Sequence, residues 1–205
     1  MRDWTKIPPA LPGQRIGILG GTFNPAHDGH RHISLMALQR LRLQKIWWMV
    51  TPGNPLKDND DLPLLETRSE YAQTLADHPA ITVTGLEAGI KTRFTYDTLA
   101  TLRARLPSVR FVWLMGSDNL AQFHQWQGWN EIAELMPLAV INRPGSSLAT
   151  RSSVAAQALW RSRVPEQNAG NLASMRAPAW TFLHGPKSNL SSTAIREASK
   201  KWAKA

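Results

Sequence analysis

Cysteine is absent from the 205-residue chain. Disulfides, thiolate metal sites and cysteine nucleophiles are thereby excluded. No apolar run has the length of a membrane-spanning helix. The N-terminal stretch "MRDWTKIPPALPGQ" has no apolar signal-peptide core, and a cytoplasmic location is the simplest expectation. Acidic residues are few: 15 Asp and Glu face 24 Lys and Arg, a formal charge of +9, and the pI is about 10.5. Such a balance favours anionic partners, either nucleic acid or small phosphorylated molecules. The basic residues are scattered, densest in "RLRLQK", "RARLPSVR" and "REASKKWAK", which read as solvated helix surface.

What is present is an ordinary globular composition, 42% hydrophobic and 19% charged. The length suits one domain. We divide the chain into an N-terminal extension, residues 1–14, lying over the domain or disordered, and a single domain, residues 15–205. "RIGILG", "KIWWMVTP", "AITVTG", "VRFVWLMG", "LAVINRPG" and "AWTFLHG" read as strands. Between them, His27–Leu43, "LLETRSEYAQTLADH", "TYDTLATLRARL", "GWNEIAELM" and "RSSVAAQALWRSR" read as helices, and "SSTAIREASKKWAKA" as a last one. Val164–Pro178 reads as a loop-like excursion. Apolar strands alternating with amphipathic helices predict an α/β domain, a mostly parallel sheet with helices on both faces.

The first strand runs into "GGTFNPAHDGH", Gly20 to His30. Glycine allows close backbone approach and positive φ, and a helix start offers free N–H groups to an anion. His27 and His30 are three apart, on one side of a helical turn. An imidazole can donate hydrogen bonds to phosphate. "GILGGT" is not a dinucleotide fingerprint, and "HGPKS" is not a P-loop. Zinc at "HDGHRH" would need a further ligand that neither HExxH nor cysteine supplies, so no metal-binding residue is assigned.

These residues resemble the signature of the nucleotidyltransferase superfamily, [GS]-[ST]-F-[DN]-P-x-H-x-G-H. "LSSTAIRE" (Leu190–Glu197) resembles its second motif, I-S-S-T-x-I-R, with Leu190 in place of Ile. "LMGSDNLAQFHQWQGWNEI", "TRFTYDTLATL" and "VINRPG" are similar to segments of the nicotinate mononucleotide adenylyltransferase family. The resemblance runs from about Arg15 to Lys201. It implies a Rossmann-like domain and a reaction in which ATP and nicotinate mononucleotide give nicotinate adenine dinucleotide and pyrophosphate. Mg²⁺ would accompany ATP.

Carried over position by position, the resemblance implies that His27 and His30 are catalytic. Gly20, Gly21, Thr22 and Phe23 would form the turn under the nucleotide phosphates. Asp118 would face the nucleotide, and Ser192, Thr193 and Arg196 would hold ATP phosphates from the other side. For the acceptor it implies Trp126 stacked on the pyridine ring, Phe94 and Thr95 near the nicotinate, and Lys57 on the mononucleotide phosphate. The family usually shows Pro-His-Lys there, whereas this chain has Pro55-Leu56-Lys57.

Two other readings stand beside this one. A pantetheine-phosphate or glycerol-phosphate nucleotidyltransferase would share both phosphate motifs. A basic nucleic-acid-binding domain would explain the charge but not the paired histidines; no nucleic-acid or membrane partner is expected. The sequence leaves the oligomeric state open.

Overall fold

The computed structural model describes residues 3–53, 59–142 and 152–185. Within them the chain alternates strand and helix. The order is β1 (Arg15–Gly21), α1 (Asp28–Arg40), β2 (Lys45–Val50), α2 (Leu65–Leu75), β3 (Ile81–Thr84), α3 (Leu86–Ile90) and α4 (Thr95–Arg105). There follow β4 (Arg110–Gly116), α5 (Ser117–Gln122), a 3₁₀ turn (Phe123–Gln125), α6 (Trp129–Leu135), β5 (Leu138–Ile141) and α7 (Val154–Ala158). After a second 3₁₀ turn (Trp160–Ser162) come β6 (Arg163–Val164), a 3₁₀ helix (Glu166–Ser174) and β7 (Trp180–Leu183). The last expected helix lies outside the described residues.

The strands form one seven-stranded sheet in the order β3-β2-β1-β4-β5-β7-β6, and every pairing is parallel. Alternation along each strand sends side chains to opposite faces. Ile16 and Ile18 of β1, Trp47 and Met49 of β2, and Phe111, Trp113 and Met115 of β4 pack with Leu86, Leu99, Leu102, Leu120 and Ile132 of α3 to α6. Leu19, Ile46, Trp48, Val50, Val112 and Leu114 point the other way, onto Ile33 and Ala37 of α1 and Ala72 of α2. Both faces are therefore buried, which is why the strands read as continuous apolar runs rather than alternating ones.

Val164–Pro178 is not a loop. It contributes edge strand β6 and a 3₁₀ helix whose Ala169, Leu172 and Ala173 are buried. These residues recur at helical spacing, but they are small or isolated among Asn, Gln and Gly, so the apolar signal is faint. The extension crosses the end of edge strand β3. Trp4 O accepts Gly85 N–H at 2.8 Å and Thr84 Oγ1 at 3.2 Å. The Trp4 ring joins the core beside α1 and α2, while Ile7 and Ala10 pack on the opposite face. The segment thus covers part of an otherwise open sheet edge.

From β1 the chain builds outward through β2 to β3, then returns past β1 to lay down β4 on its other side. This reversal leaves a crevice beyond the carboxyl ends of β1 and β4, where ligands bind in open α/β sheets.

Candidate active site

β1 ends at Gly20 and Gly21, directly below that crevice. Neither glycine takes a positive φ; among these turn residues that conformation falls to Phe23, at φ 47°. Gly20 is required by packing: a Cβ there would collide with Cη2 of the Trp113 indole. The Phe23 ring does not face outward. It is buried and lies 4.6 Å from the His30 ring and 5.3 Å from the Trp48 ring, centroid to centroid.

His27 is the N-cap of α1 rather than a residue within it. Its Nδ1 accepts Gly29 N–H at 3.1 Å, and His30 Nδ1 accepts His27 N–H at 3.2 Å. The two rings satisfy helix-start donors reciprocally, as a capping box does. Their centroids lie 3.9 Å apart, so the residues do share a face. With Nδ1 used as acceptor on both rings, each neutral imidazole carries its hydrogen on Nε2. Two N–H donors are thereby fixed at the positive end of α1. Behind them, Trp48 Nε1 donates to Ser34 Oγ at 2.7 Å, and Ser34 Oγ donates to the His30 carbonyl at 2.8 Å.

Arg68, on α2, is a further residue of this site that the sequence motifs do not include. It is 4% exposed. Its Nη1 donates to Thr22 O at 2.7 Å and Thr51 O at 2.8 Å. Nε donates to Pro63 O at 2.8 Å and Nη2 to Pro52 O at 3.2 Å. One guanidinium thus ties the turn after β1 to the turn after β2. Burial draws its pKa below the ordinary value, opposed by Glu66; arginine nevertheless stays cationic. All four acceptors are neutral carbonyls, so its charge adds to the positive potential beneath the turn. The signal available in sequence was "PLLETR", an arginine in line with the apolar positions Leu65 and Ala72.

Asp118 is exposed in the first turn of α5 at the end of β4, across the crevice from Gly20. Trp126 follows the 3₁₀ turn and is partly buried. Its ring meets Trp113 edge-on at 6.3 Å and Phe123 at 5.4 Å. Trp113 therefore links Trp126 to Gly20. Gly128, at φ 66°, lies against the Tyr96 side chain, which brings the Trp126 turn to the start of α4. Phe94 is the N-cap there and Thr95 the first residue. The structure so gathers Gly20, Gly21, Thr22, Phe23, His27, His30, Phe94, Thr95, Asp118 and Trp126 at one end of the sheet or on the turns leading from it. Lys57, Ser192, Thr193 and Arg196 lie outside the described residues.

A model of the cytidylyltransferase-like family matches residues 18–198. A curated relative from Methylorubrum extorquens, named probable nicotinate-nucleotide adenylyltransferase, is 56% identical over 182 residues, covering 89% of this chain and 98% of its own length. One of the same name from Mesorhizobium japonicum is 50% identical over 194 residues, covering 95% and 100%. Among solved structures, Plasmodium falciparum nicotinic acid mononucleotide adenylyltransferase complexed with NaAD superimposes with a TM-score of 0.69 at 18% identity. It spans 90% of this chain and 83% of that one, a likeness of fold.

Proposed function

The chain belongs to the cytidylyltransferase-like family, with the nicotinate-nucleotide adenylyltransferases, and from that premise we propose that it transfers the adenylyl group of ATP to nicotinate mononucleotide. The products are nicotinate adenine dinucleotide and pyrophosphate, a step of NAD biosynthesis. The observation that carries the reading is the histidine capping box, which fixes the tautomer of two imidazoles at the start of α1, beside the turn that follows β1.

In this reading a phosphate oxygen of the mononucleotide attacks the α-phosphorus of ATP in line, and pyrophosphate leaves. The attacking phosphate is already ionised at neutral pH, so no protein nucleophile is needed. Catalysis is positioning plus electrostatic stabilisation of developing charge. His27 and His30 donate to the phosphates over the Gly20–Phe23 turn, and Asp118 faces the nucleotide. Ser192, Thr193 and Arg196 are assigned to the ATP phosphates from the opposite side. Trp126, Phe94, Thr95 and Lys57 are assigned to the acceptor. Mg²⁺ arrives with ATP, held by phosphate oxygens and water. No described helix is long and apolar enough to cross a membrane, and the proposed setting is the cytoplasm.

A pyrophosphate-release assay with ATP and four acceptors tests the proposal: nicotinate mononucleotide, nicotinamide mononucleotide, phosphopantetheine and glycerol phosphate. Release is expected with a pyridine mononucleotide, the nicotinate form preferred. Release with phosphopantetheine or glycerol phosphate alone would transfer the chain to another acceptor class.

A further inference from the structure

Glu87 lies in α3 with 3% of its surface exposed and has no part in the chemistry above. Its Oε1 accepts from Thr98 Oγ1 at 3.0 Å. The same hydroxyl stands 2.8 Å from Thr92 Oγ1 and 3.2 Å from the carbonyl oxygen of Phe94. Thr98 has one hydroxyl hydrogen to place among these three acceptors. Thr92 and Phe94 belong to the short segment joining α3 to α4, which ends at Thr95.

The charge on Glu87 decides where that hydrogen goes. An ionised carboxylate is acceptor-only, so it takes the Thr98 hydrogen. The Phe94 carbonyl then keeps the backbone N–H of Thr98, at 3.2 Å. A protonated Glu87 donates to Thr98 Oγ1 and, with the Thr92 hydroxyl donating to the same oxygen, frees the Thr98 hydrogen for the Phe94 carbonyl. α3 itself is held from outside. Gly85 N–H donates to Trp4 O at 2.8 Å, and a Cβ on Gly89 would collide with the Thr5 carbonyl oxygen. Glu87 is thus a fixed point against which the loop is set.

We propose that Glu87 is a positioning residue for the acceptor-binding loop: through Thr98 it sets how firmly the Phe94 carbonyl at the start of α4 is held. The inference rests on the reading that Phe94 and Thr95 line the acceptor site. Burial pushes the Glu87 carboxyl up to about 7, opposed by the Thr98 hydrogen bond. The charged and titratable residues on α3 and on the elements packed against it are Lys91 at the end of α3, Lys45 on β2, Tyr96, Asp97, Arg103 and Arg105 on α4, and Asp3 and Lys6, paired with each other, in the N-terminal segment. None of them contributes to that shift. The two arrangements therefore exchange near neutral pH.

Steady-state kinetics at saturating ATP, with nicotinate mononucleotide varied across the window around about 7, test the proposal. In the parent protein the acceptor KM should rise several-fold as pH increases through that window, with kcat moving much less. In Glu87→Gln the amide NH₂ donates to Thr98 as the protonated acid does. That variant should keep the low KM throughout, at a kcat within about twofold of the parent. Thr98→Val should also abolish the difference, and Thr98→Ser should retain it. The acceptor's own phosphate titrates near about 6 and affects every variant alike, so the decisive quantity is the difference between Glu87→Gln and the parent. A Glu87→Gln profile parallel to the parent's overturns the inference. Turnover of the parent separates the two failures. If the parent releases no pyrophosphate with nicotinate mononucleotide, the acceptor reading fails and takes this inference with it. If the parent turns that acceptor over while Glu87→Gln tracks the parent, the positioning role alone is overturned.

Discussion

His30 Nδ1 accepts the backbone N–H of His27 at 3.2 Å, so the rings assigned to the phosphates also hold the start of α1. Helix stability and phosphate chemistry are joined in the same two side chains, and substitutions can separate them. His27→Ala should lower turnover roughly 10²-fold or more and also cost about 1 kcal/mol in lost capping. His27→Asn keeps a cap acceptor but loses the Nε2–H donor. It should restore most of the stability and little of the turnover. Thermal melts paired with pyrophosphate release check this; full turnover in the Asn variant would show that His27 only caps.

Arg68 gives a second separation. Arg68→Met leaves the carbonyls of Thr22, Thr51, Pro52 and Pro63 without their donor. The expected loss is about 1–3 kcal/mol, the cost of one unsatisfied buried group, since Thr22 and Thr51 are partly buried while Pro52 and Pro63 are exposed and can turn to water. Arg68→Lys keeps the charge but not the planar fork. It should recover part of the stability and leave the KM for ATP above the parent's, because the Thr22 turn is less firmly tied. Urea denaturation midpoints and ATP titrations read the two effects.

Trp126 packs edge-on against Trp113 and Phe123 while remaining partly exposed. Trp126→Ala should raise the acceptor KM several-fold, the loss of a stacking contact worth about 1 kcal/mol, with the KM for ATP little changed. Trp126→Phe should recover much of it. Gly20→Ala should act on the same site from below, since its methyl displaces the Trp113 ring. A fall of about 3 kcal/mol or more in the stability of the ligand-free Trp126→Ala protein, with acceptor affinity intact, would make that tryptophan a core residue.

Glu87 predicts a stability profile with a definite sign. Its folded-state value, about 7, lies above the ordinary 4.5. Between those values the folded state holds more proton than the unfolded state, so stability falls as pH rises. The contribution is complete below 4.5 and lost as pH climbs through about 7. At about 1.4 kcal/mol per unit, the loss is bounded near about 3 kcal/mol. Glu87→Gln should flatten this part of the curve, measured as melting temperature against pH relative to the parent.

The phosphate turn, the helix start and the apolar strands are legible in the sequence because their signals are local. Gly20–Gly21 after an apolar run and two histidines three apart are properties of neighbouring residues. So is the continuous hydrophobicity of "KIWWMV" and "RFVWLM", which only a sheet covered on both faces accommodates. The 3₁₀ helix at Glu166–Ser174 was lost to the same rule, since its buried face is made of Ala169, Leu172 and Ala173, too small to mark a period. α3 and α5 were missed because five or six residues scarcely span a period.

The sequence by itself determined the fold class, the family and the residue types gathered at the crevice. It could not assign the reasons behind them. Gly20 reads as room for a ligand, and it is also room for Trp113. Phe23 reads as part of the ligand turn, and its ring also supports His30 from within the core. Nothing local in the sequence marks Arg68 or Glu87, and both are buried. In each case the partner lies far along the chain: Trp113 for Gly20, Trp48 for Phe23, Thr22 for Arg68, Thr98 and the Trp4–Lys6 segment for the helix bearing Glu87. A charge's environment is set by what packs over it, and packing between distant segments exists only once the sheet has brought them together.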